Sequence, residues 1–385
     1  MPTGRTTPTT SRGPVLSAPL QSLYAKLADA LDEGPPVEPV DSGIAGDPLV
    51  THPDDAPEGT AVVIRTSGSS GEPKRTALTV EALAASAEAT AMHLRADGQW
   101  LLALPTHYVA GVSVLTRSLF AGTAPVGLDV DTPFTADAFT AAAAAMTDRV
   151  RLTSLVPTQL QRLLADPSEA TLAVLRRFDA ILVGGGRTPD AVRAEAAKHG
   201  LKIRLTYGMS ETCGGCVYDG VPLPGVQVRA EGGRLSLGGP VVAAGYIGDP
   251  ERTNAHFSTD MTGERWFRTD DLGSFDAANG GRVSVEGRVD DVVITGGVKI
   301  SAAAVQRVIE AAPDAGDAIV VGIPDPEWGA AVACAYTGDA DDKALGRLVR
   351  AELGGPAVPK RWLRVDALPL LANGKPDRRA VVALF

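Results

Sequence analysis

The densest cluster of residues able to do chemistry is the run Thr66-Ser67-Gly68-Ser69-Ser70-Gly71-Glu-Pro-Lys74-Arg75. Clustered glycines let successive backbone N–H groups converge on one anion, and the hydroxyls add further donors. Lys74 adds a positive charge. This is equipment for a triphosphate. It is not a Walker A loop, because no Gly-Lys-Ser/Thr follows, and the chain carries no dinucleotide glycine fingerprint. The apolar run in front and the lysine behind distinguish it from a flexible Ser/Gly linker.

The elements that must hold such a loop can be read from periodicity. Residues 18–32 read as a helix, followed by a Pro-rich connection at 34–40. From about 60 to 205, short apolar runs (Ala61–Arg65, Trp100–Leu104, Leu152–Val156, Ala180–Val183, Ile203–Thr206) alternate with Ala-rich, helix-permissive stretches at 79–96, 135–147 and 189–199. This alternation predicts an α/β fold whose largely parallel sheets carry their sites beyond the carboxyl ends of the strands. Near 220 the texture turns to short strands, glycines and prolines, which predicts a β-rich subdomain through residue 286. A smaller α+β unit follows, with strands at 291–294, 318–323 and 332–337 and helices at 301–312 and 341–353. The expected division is a flexible leader at 1–16, a large domain at 17–287, a connection at 288–291 and a small domain at 292–385.

The totals fit this division. A chain of 385 residues is too long for one compact core. A 44 % hydrophobic and 21 % charged composition is that of a folded protein, not a disordered one. A net charge of −10 argues against a nucleic-acid surface. No apolar run is long enough to cross a bilayer, so no membrane insertion is expected. Basic, Thr- and Pro-rich residues at the start lack an apolar segment behind them, which reads as a leader rather than a secretory signal. Three cysteines give no disulfide framework, and a cytoplasmic location is expected. Cys213 and Cys216 form a lone Cys-Gly-Gly-Cys without the second pair or histidines of a zinc site, and read as small residues in a glycine-rich loop.

The phosphate loop resembles that of the adenylate-forming superfamily, which includes acyl-CoA synthetases, luciferases and peptide-synthetase adenylation domains. Five further motifs resembling that superfamily appear in the same order: Gly184-Gly185-Gly186, Tyr207-Gly208-Met209-Ser210-Glu211-Thr212, Phe267-Arg-Thr-Asp-Asp271-Leu, Gly287-Arg288-Val-Asp290-Asp, and Asn373-Gly-Lys375-Pro-Asp-Arg. The resemblance implies ATP, Mg²⁺ and coenzyme A as cofactor and co-substrates, with a small carboxylate as substrate. Thr66 to Gly71, Lys74, the glycine run and the Tyr207–Thr212 loop would then hold ATP and AMP. Glu211 would bind the metal, and Asp271 and Arg288 the ribose. Lys375 would stabilise charge between the carboxylate and the α-phosphate. Asp290 would be the hinge about which a mobile C-terminal domain turns, and Gly296, Gly297 and Lys299 would line the acceptor channel.

Departures are few. Serines at 69, 70 and 210 replace more frequent threonines and keep the hydroxyl. Asp270 stands at the usual glycine of the ribose motif, which leaves open how it and Asp271 divide their roles. In Pro105-Thr-His107-Tyr108-Val-Ala-Gly111, Tyr108 takes the usual histidine position, so which ring gates the substrate is open. Few residues precede the phosphate loop. That brevity, with Val156-Pro-Thr-Gln-Leu160 and an arginine after Gly111, resembles o-succinylbenzoate–CoA ligases of menaquinone biosynthesis. The resemblance implies that Arg117 recognises a second, non-reacting carboxylate; from spacing alone an exposed arginine at a helix edge is equally good. Another aryl- or acyl-CoA ligase, or an adenylation enzyme loading a carrier protein, would share these motifs. A nucleotide-binding regulator without catalysis is the rival of another class. A homodimer is compatible with all of these.

Overall fold

The computed structural model describes residues 15–41, 55–67, 73–128, 133–278, 280–371 and 376–385. Helix α1 (Ala18–Leu31) has Pro19 in its first turn, where the missing N–H leaves no bond unmade, and buries Leu20, Leu23 and Leu27. Strands β1 (Thr60–Ser67) and β2 (Pro73–Thr79) then pair antiparallel, with Thr66 opposite Lys74. The sequence expectation placed β1 in the parallel sheet. A connection of five residues cannot make the crossover that parallel pairing needs, so the two strands form a hairpin across the phosphate loop instead. Residues Gly68 to Gly71 lie outside the described residues.

The parallel sheet begins after helix α2 (Val80–Leu94), which is capped by the Thr79 hydroxyl accepting from the Ala82 amide at 3.1 Å. Strand β3 (Gln99–Leu102) leads into helix α3 (Val109–Ala121), which Gly122 ends at φ +65°. Then come β4 (Val126–Gly127), α4 (Ala136–Ala144), β5 (Arg151–Leu155), α5 (Pro157–Leu164), α6 (Glu169–Arg176), β6 (Ala180–Val183), α7 (Asp190–Lys198) and β7 (Ile203–Met209). The spatial order is β4-β3-β5-β6-β7, all parallel; β8 (Gly214–Tyr218) and β9 (Val221–Pro222) extend it antiparallel. Every residue of β3, β5 and β6 is buried, as expected of strands covered on both faces by helices. Leu102, Leu115 and Leu152 belong to one core; Leu101, Phe139 and Ile181 belong to a second.

The β-rich stretch contains β10 (Gln227–Glu231), β11 (Arg234–Gly238), β12 (Gly245–Tyr246), α8 (Pro250–His256), β13 (Phe257–Thr259), β14 (Arg265–Asp276) and β15 (Arg282–Arg288). Strand β12 leaves this subdomain to pair with β2, Tyr246 opposite Thr76. The small unit has its own core around Val305, Ile309, Val320, Val332 and Leu345. It comprises β16 (Val292–Thr295), β17 (Val298–Ser301), α9 (Ala302–Glu310), β18 (Ala318–Asp325), β19 (Gly329–Tyr336), α10 (Asp342–Leu353), β20 (Arg361–Arg364) and α11 (Arg378–Val382). Strand β20 pairs parallel with β19 and was not anticipated, because its four residues carry charge at both ends. Among the described residues, no helix is long and apolar enough to cross a membrane.

Candidate active site

Two loops meet beyond the carboxyl ends of β6 and β7. Gly184 follows β6, and a side chain there would lie 2.2 Å from Thr206 Oγ1, so glycine is what allows the two strand ends to approach. Gly208 is under the same constraint, because a Cβ would sit 2.1 Å from the Gly214 carbonyl oxygen. The chain after Met209 turns through Ser210–Thr212. There the Thr212 hydroxyl accepts from the Met209 amide at 3.1 Å and donates to the Gly214 carbonyl at 2.8 Å. That turn fixes Glu211, which is buried.

Around Glu211 stand a cation and a phenol. Lys74 Nζ is 3.9 Å from Glu211 Oε1, and the Tyr246 hydroxyl donates to the same oxygen at 2.8 Å. The other carboxylate oxygen, Oε2, has no hydrogen-bond partner among the described residues. Among those residues no group of three or more His, Cys, Asp or Glu could cage a metal. One hard oxygen on an otherwise open face fits Mg²⁺, which takes one or two carboxylates and completes its shell with phosphate and water.

A second cluster lies where β14 and β15 pair, with Asp271 opposite Arg288. Successive strand residues face opposite ways, and this separates the two aspartates. The Asp271 carboxylate accepts from the Tyr207 hydroxyl at 2.7 Å and lies 3.6 Å from Arg288 Nη1. Asp270 accepts from Arg234 Nη2 at 2.6 Å and is 3.8 Å from Arg288. Arg234 therefore occupies the extra carboxylate, leaving Asp271 on the Tyr207 side. Burial pushes the Asp271 carboxyl above its ordinary pKa, against the pull of Tyr207 and Arg288. Arg288 also makes a two-pronged contact with Asp290 at 2.8 and 3.0 Å, which ties this carboxylate cluster to the connection between the units.

The remaining candidates are spread more widely. Tyr108 directly precedes α3, and its ring lies 4.1 Å from that of His107. Burial and the Asp41 charge push the Tyr108 phenol upward. Gly111 is required because a Cβ there would lie 2.2 Å from the Pro105 carbonyl oxygen. Arg117 sits on the same helix eight residues beyond Val109, about 12 Å along the axis at 1.5 Å per residue. It is not the exposed edge arginine that spacing allowed, being only 6 % exposed. Its Nε has no hydrogen-bond partner among the described residues, and its guanidinium lies 5.3 Å over the Trp100 ring. It lines a cavity of about 560 Å³ between α2 and α3, with Thr90, Met92, Trp100 and Phe120, that includes neither His107 nor Tyr108.

In the small unit, Gly296 and Gly297 form the β16–β17 turn at φ +54° and +81°, and Gly296 packs under Trp328. Lys299 is exposed on β17. Lys375 lies outside the described residues. The arms of its loop are joined by the bridge between Leu370 and Pro376 and by the Asp377 amide donating to the Pro369 carbonyl at 3.0 Å. Arg378 then pairs with Asp291 at 3.1 Å, next to Asp290. Cys213 and Cys216 are buried free thiols; burial pushes Cys216 to about 12 and Cys213 upward as well, so neither is poised for redox chemistry. Sequence reasoning missed Arg234 and Tyr246. No local pattern connects them with Asp270 and Glu211: Arg234 reaches Asp270 across the β11–β14 pairing, and Tyr246 meets the Glu211 turn because β12 pairs with β2.

Comparison with known proteins agrees with this geometry. The AMP-binding enzyme family matches residues 10–273, and the AMP-binding enzyme C-terminal domain matches 304–375. A probable 2-succinylbenzoate–CoA ligase of Mycobacterium tuberculosis is 40 % identical over 331 residues, 84 % of each chain. The 2-succinylbenzoate–CoA ligase of Salmonella typhimurium is 33 % identical over 82 % of this chain and 67 % of its own length. Among solved structures, the o-succinylbenzoate CoA synthetase MenE of Bacillus subtilis, in complex with the acyl-adenylate intermediate OSB-AMP, superposes with a TM-score of 0.71 at 26 % identity. That match covers 87 % of this chain and 71 % of the other. The amide bond synthetase McbA of Marinactinospora thermotolerans gives 0.73 at 29 % identity, over 86 % and 70 %. A family match over more than half of its length, with a relative 40 % identical over 84 % of the chain, establishes that the chain belongs to the AMP-binding enzyme family of the adenylate-forming superfamily.

Proposed function

We propose that this protein is an AMP-forming acid–CoA ligase that activates o-succinylbenzoate as its acyl-adenylate and transfers the acyl group to coenzyme A, a step of menaquinone biosynthesis. The observation that carries the reading is the convergence of Lys74, Glu211, Asp271 and Arg288 on the mouth of one parallel sheet, in a chain 40 % identical to a probable 2-succinylbenzoate–CoA ligase.

The chemistry requires a carboxylate to attack an α-phosphate that is itself anionic. The chain must neutralise that repulsion and hold the attack in line. Lys74 and the Thr66–Gly71 loop would hold the phosphates, and Glu211 would hold Mg²⁺, which when bound offsets phosphate charge. Gly184, Gly185, Gly186 and the residues from Tyr207 to Thr212 would frame the adenine side, with Asp271 and Arg288 on the ribose. Lys375 would stabilise the transition state as the bond from carboxylate to phosphorus forms and pyrophosphate leaves. The small unit, 292–385, would then turn about Asp290 and present Gly296, Gly297 and Lys299. The CoA thiol, losing its proton, attacks the acyl carbon; the thioester forms as the acyl–phosphate bond breaks and AMP departs.

His107 and Tyr108, at the entrance to α3, would flank the reacting carboxylate. Arg117 would take the substrate's second carboxylate. A buried guanidinium whose Nε lacks a hydrogen-bond partner among the described residues supports this, because an unmet buried donor is costly. The cytoplasm and a soluble, small-molecule role fit the composition.

The test is a mass-spectrometric assay with ATP, Mg²⁺, CoA and a panel of carboxylates. A dominant o-succinylbenzoyl thioester is expected. An adenylate without thioester would move the acceptor to a carrier protein or an amine, and ATP binding without turnover would leave a nucleotide-binding regulator.

A further inference from the structure

Tyr246 belongs to none of the six motifs, yet it stands between the two charged groups that would face the triphosphate. Its hydroxyl donates to Glu211 Oε1 at 2.8 Å, and Lys74 Nζ lies 5.3 Å from its ring centroid, within reach of the negative ring face. The residue is 6 % exposed and is held from several sides. Its amide donates to Thr253 Oγ1 at 2.9 Å, its backbone pairs with Thr76 on β2, and its ring meets Phe257 edge-on at 5.3 Å. A ring fixed in this way is a rigid post for two mobile side chains.

The consequence for Glu211 is geometric. The phenol takes up Oε1, while Oε2 has no hydrogen-bond partner among the described residues. One oxygen is anchored and the other is left for a hard cation. Lys74 is 3.9 Å from the anchored oxygen, far enough to leave the ammonium available to phosphate. The hairpin makes this arrangement possible, since Lys74 and Thr76 lie on β2 and Tyr246 pairs with that strand.

We infer that Tyr246 is a positioning residue that fixes the Glu211 carboxylate for Mg²⁺ and steadies Lys74 beside it, so that metal and triphosphate are received together. This rests on reading Glu211 as the metal ligand. Groups that orient a metal-ligating side chain typically change metal affinity by about 10–100-fold when removed.

The experiment is isothermal titration of a non-cleavable α,β-methylene ATP analogue into the whole protein, with Mg²⁺ and with EDTA. Three proteins are compared: wild type, Tyr246→Phe and Glu211→Gln. Wild type is expected to bind more tightly with Mg²⁺. In Tyr246→Phe that Mg²⁺-dependent gain should fall about tenfold, while affinity in EDTA stays within about twofold and so reports an intact site. Glu211→Gln should lose the gain. If Tyr246→Phe keeps the wild-type gain while Glu211→Gln loses it, the inference is overturned and the metal reading stands. If Glu211→Gln keeps the gain, the metal reading falls and takes the inference with it. A loss of affinity in Tyr246→Phe that is equal with and without Mg²⁺ would also overturn it, by showing a purely structural role.

Discussion

The Glu211–Asp271 cluster and the small C-terminal unit are built on opposite principles. Glu211, Asp271, Tyr207 and Tyr246 are fixed by buried or half-buried hydrogen bonds to one another and to strand ends. Among the described residues, the C-terminal candidates Gly296 and Gly297 form an exposed two-residue turn, Lys299 is exposed on β17, and Asp290 sits on a short connection held by Arg288. Contact between the large and small units includes an Arg187–Glu310 ion pair and a 3.2 Å bond from Arg307 to the Glu286 carbonyl. The difference matches the proposed function: a nucleotide site is served by a preorganised, water-poor frame, whereas groups that would enter and leave call for attachments weak enough to break.

Separating the half-reactions breaks this comparison most sharply. Lys375→Ala is expected to slow adenylate formation by ~10²–10³ while ATP affinity and thioester formation from supplied acyl-adenylate remain. Pyrophosphate release under single-turnover conditions checks the first part and thioester yield the second. Equal loss in both steps would remove the lysine's special place in the first.

Next in size is Arg117→Ala, where loss of a buried charged hydrogen bond should raise KM by roughly 10–100-fold for a dicarboxylate. A monocarboxylate aromatic acid should be affected far less. Parallel increases for both substrates would refute the second-carboxylate role.

Asp271→Asn tests the buried frame from the other side. The KM for ATP should rise by about tenfold, as one charged acceptor becomes neutral. Stability should move the opposite way. Because burial raises the Asp271 pKa, the folded state favours the protonated form. Its stabilising contribution is complete below the unfolded carboxyl pKa and is lost as pH rises through the folded value. The variant should therefore melt about 1–2 °C higher at neutral pH, and this gain should shrink on acidification. A scanning melt at several pH values decides it; a lower melting temperature at neutral pH would contradict the assignment.

The smallest effect is expected for Arg187→Ala, which removes a part-exposed pair worth about 1 kcal/mol or less. Hydrogen exchange should quicken in α9 with little change in the melting of the large unit. Unchanged exchange there would show that the pair does not hold the two units together.

Much of this architecture was legible in the residues. Fully apolar runs such as Ala180–Val183 read as strands and are buried throughout, whereas the close approaches at Gly184 and Gly208 came only from the structure. Trp100–Leu104 and Leu152–Val156 were placed within two residues of β3 and β5. Less legible was β1, equally apolar but antiparallel, because strand direction depends on the connection and on β12 arriving from residue 245. Strand β20 escaped because its short charged-ended run makes sense only beside β19.

Local sequence determined the loop chemistries and their order, because glycine conformation, hydroxyl donors and charge are properties of neighbouring residues. Tertiary structure alone decided which of two adjacent aspartates faces Tyr207, since Arg234 reaches Asp270 from another strand. It also decided that Arg117 is buried without a partner for its Nε, and that Tyr246 meets Glu211 thirty-five residues away in sequence. Those facts come from sheet register and helix packing, which join residues that no local pattern relates.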